Sequence, residues 1–200
     1  RKWVWGSKVV KIPNGVDLEK FSPRGERTNL NLKGDIILSV WALFWYKHHE
    51  RSIRAVAKLA NTNLVIIGSG PEENSLQRLG AQLLGDRFKI LKVDFNEIPK
   101  YYRLAKLFVL PSWIRESFGI VYLEALATNI PVVAPDDAPR REIISDGGLY
   151  ANVEDEDDYA RIIQKALSTD FGNRPREQAE KFSWDKIADE YSKVLWEITK

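Results

Sequence analysis

The sequence PSWIRESFGIVYLEALATNIPVVA, residues 111–134, decides how this chain folds. An apolar stretch at 107–110 leads into it, and a short polar segment then ends at Glu116. The residues that follow are apolar nearly all round a helix, which is typical of a buried helix. From Ser117 to Ala134 the only charged residue is Glu124, and a carboxylate on a buried helix is costly unless it is hydrogen-bonded. The stretch therefore predicts a strand, a loop and a buried helix with one carboxylate that needs a partner.

The start of this helix suits an anion. The first amides of a helix lack partners within the helix, and the helix dipole favours negative charge there. Gly119 has no side chain, so a ligand could approach these amides closely. A second carboxylate, Glu116, stands just before the helix. The residues thus predict a polyol site beside an anion site.

Length and composition are those of an ordinary globular protein. The 200 residues are 44% hydrophobic and 29% charged, which suits one α/β domain with a substantial core. The net charge of +2 gives no basic field for nucleic acid, and no apolar run reaches the roughly 18 residues of a membrane span. The absence of Cys excludes disulfides and zinc–thiolate sites and fits the cytoplasm. The chain also has no Met, so we expect a piece of a longer protein.

Apolar runs alternate with amphipathic stretches along most of the chain. Strands are predicted at 8–12, 35–40, 64–67, 88–93, 107–110, 132–134 and 149–151. Most are continuous runs of β-branched residues and Leu, which is typical of a parallel sheet covered on both faces. The pattern predicts a single domain over 1–200 with a doubly wound, Rossmann-like α/β fold. Helices at 174–200 are predicted to pack on it through an apolar stripe.

Four predicted loops follow strands and carry the residues with chemical potential. These loops are 41–47, 68–71, 94–96 and 111–119. Because ligands bind at the carboxyl ends of the strands in open parallel sheets, we expect the four loops to meet. Gly68 and Gly70 precede Pro71, so their loop is neither a dinucleotide fingerprint nor a P-loop. A tight turn and a ligand-facing turn are equal alternatives for it.

Other polar residues have simpler interpretations. Lys47 ends the first loop, where it either contacts a phosphate or is solvated. His48 and His49 resemble metal ligands, but adjacent residues on a helix do not share a face, so both are expected on the surface. The acidic run 155–158 lies at a helix start, where capping explains it better than a metal does. No protein-bound metal is predicted.

The loop 41–47 is unusually aromatic. It contains Trp41, Phe44, Trp45 and Tyr46, which could serve the core, an interface with an absent domain, or an acceptor platform. Core and interface are favoured over direct substrate contact. Trp3 and Trp5 near the start of the chain support an interface.

Together these segments resemble the C-terminal, donor-binding domain of glycosyltransferase family 4, a family of retaining enzymes with the GT-B fold. The matching segments run in order through nearly the whole chain: IPNGVDLEKF (12–21), ILSV…K (37–47), LVIIGSGPEE (64–73), YYRLAKLFVLPS (101–112), ESFGIVYLEALATNIPVVA (116–134), REIISDGGLY (141–150) and FSWDKIADEY (182–191). The pair Glu116 and Glu124 is the most specific of these features.

The resemblance implies roles for the acidic residues and the helix start. Glu124 would bind the two ribose hydroxyls of a nucleotide sugar, and Glu116 would face the sugar hydroxyls near the reacting carbon. The amides around Ser117, Phe118 and Gly119 would hold the distal phosphate and the sugar.

The other loops would complete the donor site. Lys47 would stabilise the diphosphate leaving group, and backbone near Val93, Asp94 and Phe95 would meet the base. Gly68 and Gly70 would border the bound donor. One departure concerns the phosphate end: many relatives have Gly-Arg where this chain has Trp41-Ala42, so Lys47 would act alone or with Arg115. A second departure is Asn129 in place of a common Gly, which is benign at a helix end.

The implied activity is transfer of a hexosyl group from a nucleotide-diphosphate sugar, such as a UDP- or GDP-sugar, to an acceptor. The nucleotide sugar is then a substrate, and no cofactor is expected. The partner would be the N-terminal domain of the same protein, which carries the acceptor pocket. We expect this chain alone to bind nucleotide but to transfer sugar weakly or not at all. Any peripheral contact with the inner face of a membrane would come through the missing half.

Two alternatives belong to other classes. A non-catalytic nucleotide-binding or interaction module could keep the same fold, and Ala42 mildly favours it, whereas the intact Glu116 and Glu124 favour an enzyme. A related GT-B phosphorylase would need more basic residues at the cleft than the sequence offers.

Overall fold

The computed structural model describes residues 9–112 and 118–199. Within them one sheet contains β1 (Asp35–Val40), β2 (Thr62–Ile67), β3 (Phe88–Leu91), β4 (Leu107–Val109), β5 (Val132–Pro135) and β6 (Gly148–Ala151). The α-helices of the same residues are α1 (His49–Ala57), α2 (Glu73–Leu84), α3 (Ile98–Tyr102), α4 (Ile120–Ala127), α5 (Ala138–Ile144), α6 (Glu156–Ser168), α7 (Arg174–Ala179) and α8 (Trp184–Ile198). The strand predicted at 8–12 is wrong, because residues 9–12 are not in a strand.

The strands lie in the order β3-β2-β1-β4-β5-β6, and every neighbouring pair is parallel. β1 pairs with β2 from Asp35 opposite Thr62 onward, and on its other side Ile37 lies opposite Leu107 of β4. The chain therefore adds β2 and β3 on one side of β1, and then β4, β5 and β6 on the other side. This is the switch point at which open α/β sheets bind their ligands. The order confirms the predicted doubly wound, Rossmann-like fold.

Helices cover both faces of the sheet. One core cluster joins the sheet to α3, α4, α5 and α7, and the other joins it to α1, α2 and α6. Adjacent residues of one strand serve opposite cores: Ile37 lies in the second cluster and Leu38 in the first. Because both strand faces are buried, all six residues of β2 are buried, which explains the continuous apolar runs in the sequence.

The helix α4 is buried as predicted, since every residue from 121 to 127 is buried. It begins after Gly119, whose φ of 78° is a left-handed conformation that glycine adopts without strain. It ends before Asn129, which has a φ of 59° and confirms the predicted tolerance of this position. The Asn129 amide nitrogen donates to the Gly172 carbonyl, and its oxygen accepts from Arg176 N. Asn129 therefore links α4 to the α7 region, which a glycine could not do.

The C-terminal helices differ in how they pack. In α7 the Gln178 side chain donates to the carbonyls of Glu142 and Ile143, which ties this helix to α5. In α8 only Ile187 is buried among the described residues. The exposed large apolar residues of α8 are Trp184, Tyr191, Leu195, Trp196 and Ile198. Among residues 9–112 and 118–199, no helix has both the length and the apolar character that a bilayer crossing requires.

Candidate functional site

A cleft of about 350 Å³ opens at the carboxyl edge of the sheet, beside the switch point. It is lined by Val40, Trp41, Ala42, Ile67, Gly68, Ser69, Lys92, Val93 and Ile98. The loops that follow β1, β2 and β3 therefore meet there, as expected for a parallel sheet. Its volume lies in the range of small-molecule sites.

Close backbone packing explains both glycines of the β2 loop. The amide of Leu43 donates to the Ser69 carbonyl at 2.9 Å, so the loops after β1 and β2 lie against each other. A Cβ atom at Gly68 would lie 1.9 Å from the Trp41 carbonyl oxygen, and one at Gly70 would lie 2.5 Å from that of Leu43. Neither position has room for a side chain, so the tight-turn alternative accounts for both. Gly68 also lines the cleft.

Lys47 is a buried cation close to this cleft, with 4% of its surface exposed. It ends a short 3₁₀ turn, Trp45–Lys47. Its Nζ lies 4.5 Å from the ring centroid of Trp41 and 5.2 Å from that of Tyr46, which are cation–π distances. Because Trp41 lines the cleft, the ammonium group lies near it in a poorly solvated place, where a charge acts strongly on an anion.

The aromatic residues of this loop have different environments. Trp41 packs against the core, whereas Phe44 and Trp45 are exposed. The rings of Phe44 and Tyr46 stack at 5.6 Å, and Trp45 meets Tyr46 edge-on at 5.7 Å. The core alternative therefore applies to Trp41, and an interface role for the exposed Phe44 and Trp45 stays a prediction.

His49 lies beneath the same loop and is 1% exposed, so its predicted surface position is wrong. Its Nδ1 is 3.3 Å from Ser39 Oγ, and its Nε2 has no hydrogen-bond partner in the described part of the chain. Burial lowers the pKa of His49 to about 4, and the nearby charge of Lys47 acts in the same direction. The imidazole is therefore neutral at physiological pH.

The two histidines separate because the helix starts between them. His48 has a left-handed backbone with a φ of 56°, and its Nδ1 lies 3.0 Å from Glu50 Oε1. His49 is the first residue of α1 and is directed into the interior. The two side chains do not share a face, as expected, but only His48 reaches the surface.

Glu124 is the buried carboxylate that the sequence predicts, with 5% of its surface exposed. Its Oε2 accepts a hydrogen bond of 2.9 Å from the Tyr102 hydroxyl, and Oε1 receives none from the described residues. Burial raises the pKa of Glu124 to about 7, against the opposing effects of the Tyr102 hydrogen bond and the Lys20 charge. A carboxylate has about four acceptor sites, so Glu124 can still accept hydrogen bonds from ligand hydroxyls.

Tyr102 and Lys20 belong to this site, and no local pattern in the sequence singles them out. Tyr102 is fully buried, and burial raises its pKa well above its ordinary value, so its hydroxyl remains a donor. Lys20 lies far from β3 in the sequence, yet its Nζ donates to Asn96 Oδ1 at 3.0 Å. It also lies 3.5 Å from the ring centroid of Phe95. Only the folding of the 12–21 segment against the β3 loop creates these contacts.

The predicted base-binding residues follow β3. Val93 lines the cleft, Asp94 Oδ1 accepts from the amide of Asn96 at 2.9 Å, and Phe95 is 57% exposed. The Asp94 side chain thus holds a tight turn that presents Phe95 to solvent.

The residues at the start of α4 are only partly described. Gly119 precedes the helix, and the Phe118 ring lies 6.5 Å from that of Phe182 in an edge-on contact. Three predicted site residues lie outside the described residues: Arg115, Glu116 and Ser117.

Arg140 is a buried cation that the sequence analysis misses. Its Nη2 donates to the Ser112 carbonyl at 2.8 Å, and its Nη1 lies 3.1 Å from Asp137 Oδ2. Asp137 also caps α5 by accepting from the Arg140 amide. These contacts hold the segment after β4 against the start of α5. The spacing of Asp137 and Arg140 at a helix start is the signal that would have identified the pair.

The acidic run 155–158 caps α6, as predicted. Asp155 Oδ1 accepts from the amides of Asp157 at 2.9 Å and Asp158 at 3.1 Å. In residues 9–112 and 118–199 no three His, Cys, Asp or Glu side chains form a group that could hold a metal ion.

The strand order and the cleft at the switch point define a Rossmann-like α/β domain of the type found in GT-B glycosyltransferases. The family described as glycosyl transferases group 1 matches residues 24–183, so the chain belongs to this family.

Relatives and solved structures agree with this assignment. An uncharacterised glycosyltransferase of Methanocaldococcus jannaschii is 35% identical over 92% of this chain and 52% of its own length. Sucrose-phosphate synthase of Thermosynechococcus elongatus has a TM-score of 0.83 at 28% identity, over 98% of this chain and 54% of that one. Anabaena HepE, solved in complex with UDP-glucose, has a TM-score of 0.77 at 20% identity, over 93% of this chain and 57% of that one, and shows the fold alone. The chain spans about half the length of the relatives it matches.

Proposed function

We propose that this chain is the C-terminal, donor-binding half of a retaining glycosyltransferase of family 4. The whole protein would transfer a hexosyl group from a nucleotide-diphosphate sugar to an acceptor. The observation that carries the proposal is Glu124, a carboxylate buried on an apolar helix, with one oxygen bonded to Tyr102 and the other free of described donors. Burial of such a group is costly, and a ribose diol that donates to it would offset this cost.

Binding of the donor would ionise Glu124. A carboxylate with a pKa of about 7 is partly protonated at neutral pH, whereas two hydroxyl donors favour its charged form. Nucleotide affinity is therefore expected to fall as pH drops below about 7, by up to tenfold for each pH unit. Protonation of Glu124 removes an acceptor that the ribose needs.

Lys47 is proposed to stabilise the diphosphate leaving group. Its ammonium lies 4.5 Å from the ring centroid of Trp41, a residue that lines the cleft, and its side chain is buried. A preorganised cation in such a place stabilises charge that develops in the transition state. Glu116 is proposed to face the transferred sugar, and Arg115 to help at the phosphate.

The phosphate end also motivates the second candidate function, a non-catalytic nucleotide-binding module. Ala42 lines the cleft where the family resemblance leads us to expect an arginine. The buried Lys47 ammonium lies 4.5 Å from the ring centroid of Trp41, the residue before Ala42, so a positive charge is present at this end of the site, and this favours the enzyme. In the full-length protein, Glu116→Gln should abolish transfer while the nucleoside diphosphate still binds. Lys47→Met should abolish transfer and also weaken binding of the nucleoside diphosphate, because the diphosphate is the group whose charge Lys47 would stabilise. A full-length wild-type protein that binds donor but transfers nothing to any acceptor would establish the module instead.

The remaining features of the proposal concern the whole protein. The acceptor pocket would belong to an N-terminal domain, so the donor sugar would lie between two halves. The nucleotide sugar is a substrate, and the proposed reaction needs no cofactor or metal. The enzyme is proposed to be cytoplasmic, with any contact at the inner membrane face made by the other half.

Calorimetry of the fragment with UDP-, GDP- and ADP-sugars tests the donor role. We expect one nucleotide class to bind and Glu124→Ala to weaken it by about tenfold or more, since hydrogen bonds to a carboxylate are strong. The matched control is Glu190→Ala, because Glu190 is exposed on α8. Binding of none of the nucleotides would refute the proposal, and equal binding by Glu124→Ala would refute the ribose role.

A further inference from the structure

The segment that precedes the sheet contributes a lysine to the predicted base end of the site. Lys20 donates to Asn96 Oδ1 at 3.0 Å and lies 3.5 Å over the ring of Phe95, the residue predicted to meet the base. The neighbouring Phe21 fixes this arrangement, because its ring meets Phe95 at 6.4 Å and Tyr102 at 5.8 Å.

The same cluster leads directly to the buried carboxylate. Tyr102, which packs on Phe21, donates to Glu124, and the charge of Lys20 is near enough to lower the Glu124 pKa. Lys20 is therefore connected both to the carboxylate proposed to bind the ribose and to the loop after β3 that is predicted to meet the base. Its position is fixed by two contacts rather than left to a mobile side chain.

Lys20 retains hydrogen-bonding capacity in this position. An ammonium group has three N–H donors. One reaches Asn96, and a second can point at the Phe95 ring, so a third has no acceptor among residues 9–112 and 118–199. The side-chain Nδ2 of Asn96 likewise makes no hydrogen bond to the described residues, because the contact of this side chain is through Oδ1. The free groups on the two side-chain nitrogens are therefore donors, and the Asn96 oxygen is engaged by Lys20.

We infer that Lys20 and Asn96 form a specificity element. It selects nucleotides whose base carries a carbonyl group, rather than an amino group, at its outer edge, that is, at C4 of a pyrimidine or C6 of a purine. The inference rests on the proposed function and deepens it. Uracil and guanine have an acceptor oxygen at this edge, whereas cytosine and adenine have an amino group that donates. A cluster of donors pairs with the carbonyl and leaves the amino group facing other donors. Such mismatches discriminate strongly, because polar groups remain unpaired.

Two effects of Lys20 must be separated. Its charge also favours the ionised form of Glu124, which is proposed to bind the ribose. Lys20→Met should therefore lower the affinity for every nucleotide to a similar extent. Only the contact with the base should depend on which base is present. The informative quantity is therefore the ratio of affinities for carbonyl and amino bases, and the common loss cancels in this ratio.

Calorimetry of the fragment with two matched pairs measures this ratio. UDP and CDP differ at one edge of a pyrimidine, and inosine and adenosine diphosphates make the same change on a purine. We expect wild-type protein to prefer the carbonyl member of a bound pair by about tenfold or more, the strength of a charge-assisted hydrogen bond. Lys20→Met should bring the ratio toward one, and Lys20→Arg should largely keep it. Lys58→Met, at the opposite edge of the sheet, is the control and should change nothing.

The outcomes separate this inference from the function it rests on. If nucleotides bind without a preference for the carbonyl base, or if Lys20→Met keeps the wild-type ratio, the specificity element is refuted while donor binding stands. If no nucleotide binds to folded wild-type protein, both the specificity element and the proposed donor binding are refuted. Circular dichroism and thermal unfolding of each variant establish that the fold is intact.

Discussion

Replacing Glu124 with glutamine should stabilise the free protein in a strongly pH-dependent way. The pKa of Glu124 is about 7 in the folded chain, and its ordinary value is 4.5. The folded state therefore holds the proton more tightly than the unfolded state does. Between pH 4.5 and 7 this residue binds fewer protons in the unfolded state, so the contribution of Glu124 to the free energy of unfolding falls as pH rises. The glutamine variant lacks this titration but still offers an oxygen to Tyr102.

The size of the effect follows from the two pKa values. Each pKa unit corresponds to 1.36 kcal/mol, so ionisation of Glu124 costs the folded state about 3 kcal/mol once it is complete. The free energy of unfolding of Glu124→Gln should exceed that of the wild type by less than about 0.5 kcal/mol at pH 4.5, by about 2 kcal/mol at pH 6 and by about 3 kcal/mol at pH 8. This is a large share of the stability of a typical domain.

Urea unfolding followed by circular dichroism at these three pH values measures the difference. Glu190→Gln is the matched control, because this exposed side chain should not add a pH-dependent term. The same nucleotide that binds the wild type should bind Glu124→Gln at least tenfold more weakly, since the amide accepts fewer hydrogen bonds than the carboxylate.

The combination of higher stability and lower affinity is the signature of a functional buried charge. A difference between Glu124→Gln and wild type that stays constant from pH 4.5 to 8 would refute the raised pKa. A variant that loses stability at pH 8 would show that the carboxylate is paired in the free protein, contrary to the contacts around Glu124.

Three further predictions test the packing around the site. His49→Gln should remove an acid sensitivity. The lowered pKa of His49 means that its contribution to the free energy of unfolding falls by up to about 3 kcal/mol between pH 6.5 and 4, opposite in sign to the contribution of Glu124. The difference in stability between the variant and the wild type should therefore grow by this amount as pH falls, and a difference that is constant with pH would contradict the neutral imidazole. Gly68→Ala should cost more than about 2 kcal/mol in urea unfolding, because its Cβ would meet the Trp41 carbonyl. A loss below about 0.5 kcal/mol, as for an ordinary surface substitution, would count against the packing role. Tyr102→Phe should raise the Glu124 pKa further, so the pH at which nucleotide binding is half-lost should move upward, and an unchanged midpoint would show that the hydroxyl does not stabilise the carboxylate.

Much of the fold was predictable because it depends on local patterns. Continuous apolar runs identify strands buried on both faces, and their alternation with helices leaves a doubly wound sheet as the natural arrangement. Glu124 was predictable for the same reason, since a single charge within a long apolar stretch stands out without any knowledge of its neighbours. One failure of the pattern was also local: residues 9–12 are largely apolar, as in a strand, but they do not join the sheet that the described residues form.

The electrostatic character of the site was decided by the tertiary structure. The pKa of Glu124 depends on the loss of water around it, and its opposing partners, Tyr102 and Lys20, come from segments that are distant in sequence. His49 is buried because α1 starts at this residue and directs it toward β1, which no residue pattern distinguishes from an exposed start.

The sequence by itself determined which residues carry charge and which stretches must be buried, because hydrophobic burial follows from residue type and spacing. Only the tertiary structure decided which charges meet. Lys20 and Asn96 are 76 positions apart and touch because the 12–21 segment crosses the end of the sheet. Contacts of this kind depend on the path of the whole chain, and they place Lys20, Phe95, Tyr102 and Glu124 in one connected cluster.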